Sequence, residues 1–111
     1  MTALLESGSV RLEADDSVLK VEGQVGFDAA TALAETGRDW LAEQPAGSRV
    51  TFDLSGVADV SSAAFSVLLE WARAARTAGL ELQAVRLSPA LRRLADLAGL
   101  ERLLPVESAA A

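Results

Sequence analysis

A strand, a helix and a second strand follow one another between residues 50 and 87, and this order constrains the fold most. Val50, Phe52 and Leu54 alternate with polar residues, which is typical of a strand. A helix is predicted over about 63–78, and the apolar run 80–87 predicts the next strand. Parallel strands joined by a helix prefer a right-handed crossover, which places the helix on one sheet face. We therefore expect parallel strands with helices packed on them.

A hairpin and a helix are predicted before this unit. Residues 10–13 and 18–22 are two short apolar runs joined by the turn-rich segment 14–17, which indicates two antiparallel strands. Asp28 is predicted to be the N-cap of a helix over about 29–43.

A third helix is predicted after the unit. Ser88 followed by Pro89 is a typical helix start, and 103–106 is a candidate for a short final strand. The expected fold class is α/β, a mixed four- to five-stranded sheet covered by helices in the order β-β-α-β-α-β-α. One domain is expected over residues 1–111, with 107–111 as a frayed tail.

The composition excludes many functions. The chain has 111 residues and contains no cysteine and no histidine, which removes cysteine nucleophiles, Cys/His zinc sites and triads that need an imidazole. No glycine-rich nucleotide loop is present. The net charge of −6 would repel a phosphate backbone. We expect no catalytic residues, no cofactor, no metal and no nucleic-acid partner.

The apolar segments predict neither export nor membrane insertion. No lysine or arginine precedes Arg11, so the positive start of a secretory signal is missing. Every apolar stretch is shorter than the roughly 20 residues that cross a bilayer. The sequence predicts a cytoplasmic protein that reaches a membrane only through a partner.

The segment 52–65 is the most informative part of the sequence about a functional site, because a strand and a loop lead into a helix through Ser61 and Ser62. A helix N-terminus presents free backbone N–H groups to a phosphate or to a partner. Ser62 is predicted to cap the helix, and Ser61 has no evident structural role. Asp53 and Asp59 lack the neighbours that a catalytic acid/base pair needs.

The helix predicted over about 63–78 has an apolar arc of roughly 220°, wider than one sheet contact requires. Two interpretations of Phe65 and Leu69, at the edge of this arc, remain open. Either the third helix covers them as part of the core, or they belong to a protein-binding surface. The second interpretation predicts a partner-binding set of Ser61, Ser62, Phe65, Ser66, Leu69 and Arg73.

Three segments carry a family resemblance: FDLSGV at 52–57, VSSAA at 60–64 and VLL at 67–69. They resemble the signature of STAS domains, named for sulfate transporters and anti-sigma factor antagonists, and the resemblance extends over about residues 10–105. The serine of this motif is the phosphorylation site in anti-sigma factor antagonists, and it matches Ser62. The family has an aspartate where this chain has Ser61, and glycines where it has alanines.

The resemblance implies a non-enzymatic function. The short chain and the degenerate motif resemble the stand-alone MlaB type of STAS subunit, which belongs to a bacterial phospholipid-transport ABC complex. This implies binding to the cytoplasmic ATPase subunit of an ABC transporter, at the inner face of the inner membrane, in transport that maintains outer-membrane lipid asymmetry. The alternative is an anti-sigma factor antagonist that is switched by phosphorylation of Ser62.

Overall fold

The computed structural model describes residues 2–58, 62–99 and 102–107. Five strands form one sheet in chain order, in which the first three strands are antiparallel and the last three are parallel. The strands are β1 Thr2–Ser7, β2 Val10–Asp15, β3 Val18–Gly23, β4 Arg49–Val57 and β5 Glu81–Leu87, and the helices are α1 Phe27–Ala42, α2 Ser62–Thr77 and α3 Pro89–Ala98. The predicted α/β class and the mixed sheet are confirmed.

The element order is β-β-β-α-β-α-β-α, with one more strand at the start than predicted. The register of β1 against β2 shifts between Ala3 and Leu5, so a bulge interrupts the alternation that marks a strand. The candidate strand at 103–106 is reduced to one bridge between Val85 and Val106. In the predicted tail, residues 108–111 lie outside the described part.

The predicted hairpin is confirmed as β2 and β3. Asp15 pairs with Val18, which leaves Asp16 and Ser17 as a two-residue turn. Asp16 adopts a φ of 59° there, a conformation that aspartate tolerates better than most residues.

N-cap residues were predicted for the helices α1 and α3. At α1 the N-cap is Gly26, so the prediction for Asp28 is wrong, and Asp28 lies in the first turn. An acidic side chain there still interacts favourably with the helix dipole. At α3 the prediction is confirmed, because Ser88 Oγ accepts a hydrogen bond of 3.3 Å from the Leu91 N–H and Pro89 follows.

Trp71 of α2 joins both helices to the sheet. Its ring meets Phe52 of β4 edge-on at 5.5 Å between centroids, and its Nε1 donates a hydrogen bond of 3.1 Å to the carbonyl oxygen of Leu33 in α1. A Cβ at Gly37 would lie 2.1 Å from Nε1. Helices α1 and α2 therefore pack side by side on one sheet face, and α1 approaches the indole closely because residue 37 has no side chain.

Candidate functional site

The loops that precede α1 and α2 lie at the same edge of the sheet, since both follow parallel strands. The Ala58 N–H donates a hydrogen bond of 2.8 Å to the carbonyl oxygen of Gly23, which joins the loop after β4 to the loop after β3. The Gln24 N–H donates one of 3.0 Å to the carbonyl oxygen of Ser9, in the turn between β1 and β2. We call this end of the sheet the motif edge.

Asp53 stabilises the end of β4. Its Oδ1 accepts hydrogen bonds from the backbone N–H of Ser55 at 3.0 Å and from the Ser55 hydroxyl at 2.6 Å. Its Oδ2 lies 3.8 Å from the Arg86 guanidinium. Asp59, the other member of the considered acid/base pair, lies outside the described residues. The contacts of Asp53 are those of a structural residue that fixes the backbone beside it.

Ser62 is the first residue of α2 and is exposed. The prediction placed it one position earlier, as the residue that caps the helix. Its carbonyl oxygen accepts a hydrogen bond of 3.4 Å from the Ser66 hydroxyl. Ser61, also in the predicted partner-binding set, lies outside the described residues.

Four members of the predicted partner-binding set lie on one exposed face of α2. Their spacings of four, three and four residues place them in one line along the helix. We call this line the α2 stripe, and it consists of Ser62, Ser66, Leu69 and Arg73.

Phe65 does not belong to the exposed surface. It is 8% exposed and part of the hydrophobic core, whereas Leu69 is 38% exposed. Four residues turn a helix by about 400°, so the side chains of Phe65 and Leu69 differ by roughly 40° around the axis of α2. Phe65 is the one that lies further from the stripe. The core interpretation thus applies to Phe65 and the exposed interpretation to Leu69.

Charged side chains border the stripe on the side of α1. Glu70 lies 3.6 Å from the Arg38 guanidinium of α1 and 3.9 Å from that of Arg73. These pairs are exposed, so they contribute little to stability. The Arg73 side chain is 77% exposed, which leaves its guanidinium accessible to a partner.

Sequence reasoning missed Phe27, the first residue of α1, whose side chain is 83% exposed at the motif edge. The helix was predicted to begin at about residue 29, which left Phe27 in a loop without a role. A large aromatic residue directly after Gly26 was the available signal.

The position of Ser62 in the first turn of α2 predicts how charged substitutions there change the stability of the domain. Ser62→Glu should melt at a higher temperature than Ser62→Lys, because a negative charge in the first turn of a helix gains about 0.3–1 kcal/mol from the helix dipole. Circular dichroism melting of both variants at low salt measures the difference, and the lysine variant is the control for removing the hydroxyl. A higher melting temperature for the lysine variant would contradict the placement of Ser62 in the first turn.

Two kinds of feature were not found among the described residues. Within residues 2–58, 62–99 and 102–107, no group of three or more Asp, Glu, His or Cys side chains is arranged to hold a metal ion. In the same part of the chain, no helix has the length and apolar character needed to cross a membrane.

Comparison with known proteins gives a family match and matches to solved structures. The family model described as "Mlab, STAS domain" matches residues 9–105. The crystal structure of an anti-sigma factor antagonist from Mycobacterium paratuberculosis is similar at a TM-score of 0.69 and 25% sequence identity, over 91% of this chain and 86% of that chain. No curated protein matches.

Proposed function

Because this chain belongs to the STAS domain family, whose members are typically non-enzymatic regulatory domains, we propose that it acts by binding another protein. In this proposal the partner is the cytoplasmic ATPase subunit of an ABC transporter, and the chain supports its assembly and activity. The transporter moves phospholipids and maintains outer-membrane lipid asymmetry. The observation that carries the proposal is the match to an MlaB-type model over residues 9–105.

The α2 stripe suits this function chemically. It combines Arg73, a residue type that is enriched in protein–protein interfaces, with the exposed apolar surface of Leu69 and with two serine hydroxyls that can hydrogen-bond to a partner. It presents no acidic side chain of its own, although the chain carries a net charge of −6. The chain would reach the inner face of the inner membrane through the ATPase subunit, without inserting into the bilayer.

The purified chain is expected to hydrolyse no ATP and to form a stable complex with an ABC ATPase subunit from the same genome. Size-exclusion chromatography with light scattering measures the complex, and a phosphate-release assay measures hydrolysis. An ATPase from an unrelated ABC transporter is the matched control and should elute separately. Robust hydrolysis by the chain alone, or separate elution of every ABC ATPase from that genome, would refute the proposal.

A second candidate is an anti-sigma factor antagonist, which the fold similarity to such a protein supports. Ser62 is exposed in the first turn of α2, so a phosphate there would add about two negative charges at a helix N-terminus. Against this, Ser61, Ala63 and Ala64 depart from the family motif. We expect no stoichiometric phosphate on Ser62 after incubation with ATP and cellular kinases. Phosphate there that switches binding on and off would favour the antagonist.

A further inference from the structure

Phe27 has an exposure that the fold does not explain. Its side chain is 83% exposed, whereas the other four aromatic residues are buried or half-buried. An aromatic ring in water forgoes one of the largest burial gains that a side chain can make. A single exposed apolar residue is ordinary by itself, so the argument depends on what surrounds it.

Phe27 lies beside the start of the α2 stripe. Helices α1 and α2 run side by side, and both begin at the motif edge. Thr31 and Ser66, each one turn further along its helix, line the same shallow groove between α1 and α2. Phe27 and Ser62 each lie four residues before these, so they stand at matching heights on neighbouring helices.

Among the described residues, the depression that contains Phe27 carries little charge, whereas the depressions beside it are charged. Asp28 is the one charged residue among the seven described residues that line this depression at the motif edge. Charged residues line the two neighbouring depressions, among them Glu22 near Gly8 and Ser9, and Glu35 in the groove between α1 and α2. We call the uncharged part of the depression around Phe27, together with the start of the α2 stripe, the edge patch. It consists of Gly8, Ser9, Gln24, Gly26, Phe27, Ala29, Ser62 and Ser66.

The chemistry of the edge patch indicates which class of molecule binds there. Depletion of charge around an exposed aromatic residue is the pattern of the centre of a protein–protein interface. The described residues that line the depression around Phe27 include no lysine or arginine, which anionic lipids and nucleic acids require. The fitting occupant is a protein surface with an uncharged apolar pocket.

We propose that Phe27 is the aromatic anchor of the interface and that the partner of the α2 stripe extends across the motif edge onto α1. This inference rests on the proposed function, so the occupant is the ABC ATPase subunit. In the complex, Phe27 supplies the buried aromatic contact that the sequence analysis had assigned to Phe65.

The test is a titration of the 111-residue chain with the purified ABC ATPase subunit, followed by calorimetry. Phe27→Ala should weaken binding by about tenfold or more, as removal of an interface anchor does. Leu97→Ala is the matched control, because Leu97 is also 83% exposed but lies near the end of α3. It should change the affinity by less than about twofold. Both variants should melt as the wild type does, since neither side chain is buried.

The outcomes separate this inference from the proposed function. If Leu69→Asp loses binding while Phe27→Ala binds as the wild type does, the anchor is wrong and the proposed function stands. An equal loss in the Phe27 and Leu97 variants also overturns the anchor, because the effect is then not specific to the edge patch. If the wild-type chain binds no ATPase subunit, both proposals fall.

Discussion

Leu69→Asp is expected to abolish association with the ATPase subunit while the domain stays folded. Leu69 lies in the middle of the α2 stripe and is 38% exposed. An unpaired carboxylate in a desolvated interface costs several kcal/mol, and a loss of about 4 kcal/mol already corresponds to roughly a thousandfold in affinity. In the free domain the carboxylate remains hydrated, so the free energy of unfolding should fall by about 1 kcal/mol or less.

Two matched variants make this result interpretable. Phe65→Asp introduces the same charge four residues earlier at a site that is 8% exposed, and it should unfold the domain. An unpaired buried charge removes much of the about 5–15 kcal/mol that stabilises a small domain. Leu97→Asp, on α3, should both fold and bind normally. Circular dichroism melting and calorimetric titration provide the two measurements for each variant.

Two results would contradict the assignment of the α2 stripe. Unfolding by Leu69→Asp would make Leu69 a core residue, and the exposed interpretation of this position would be wrong. A folded Leu69→Asp variant with wild-type affinity would show that the face of α2 with Ser66 and Arg73 is not an interface.

The parallel part of the sheet was predictable because its patterns are local. Alternation in β4 and glycine after α2 gave the two elements within a few residues of their observed ends. Strand β1 was not predictable. Its register against β2 shifts between Ala3 and Leu5, so the adjacent Leu4 and Leu5 interrupt the alternation of apolar and polar residues that marks a strand. A bulge is defined by the partner strand, which a single segment does not reveal.

The candidate site was partly predictable. Helical spacing placed Ser62, Ser66, Leu69 and Arg73 on one face of α2, and the structure exposes all four. Spacing did not determine whether Phe65 at the margin of the apolar arc is covered, because this depends on elements packed beside α2. The exposure of Phe27 depends on where α1 begins, and an N-cap glycine carries no side-chain signal for that position.

Gly37→Ala is expected to destabilise the domain by about 3 kcal/mol, although helix propensity alone predicts a gain of about 1 kcal/mol. The added methyl group would meet Trp71 Nε1 at 2.1 Å. The added methyl group overpacks the core, and moving α1 away from the indole to relieve the overlap strains the hydrogen bond from Nε1 to Leu33. Each effect costs about 1–3 kcal/mol. Urea unfolding gives the free energy, and an unchanged slope shows that the unfolded state is unaffected.

The cause of this destabilisation can be isolated by a double-mutant cycle with Trp71→Phe. Phenylalanine lacks Nε1, so the methyl group at residue 37 gains space, and Gly37→Ala should cost at least about 1 kcal/mol less in that background. Ala34→Gly, one turn earlier in α1, is the control for intrinsic helix propensity and should lose about 1 kcal/mol. If Gly37→Ala instead stabilises the domain in both backgrounds, propensity alone determines the effect, and the close contact between α1 and Trp71 is wrong.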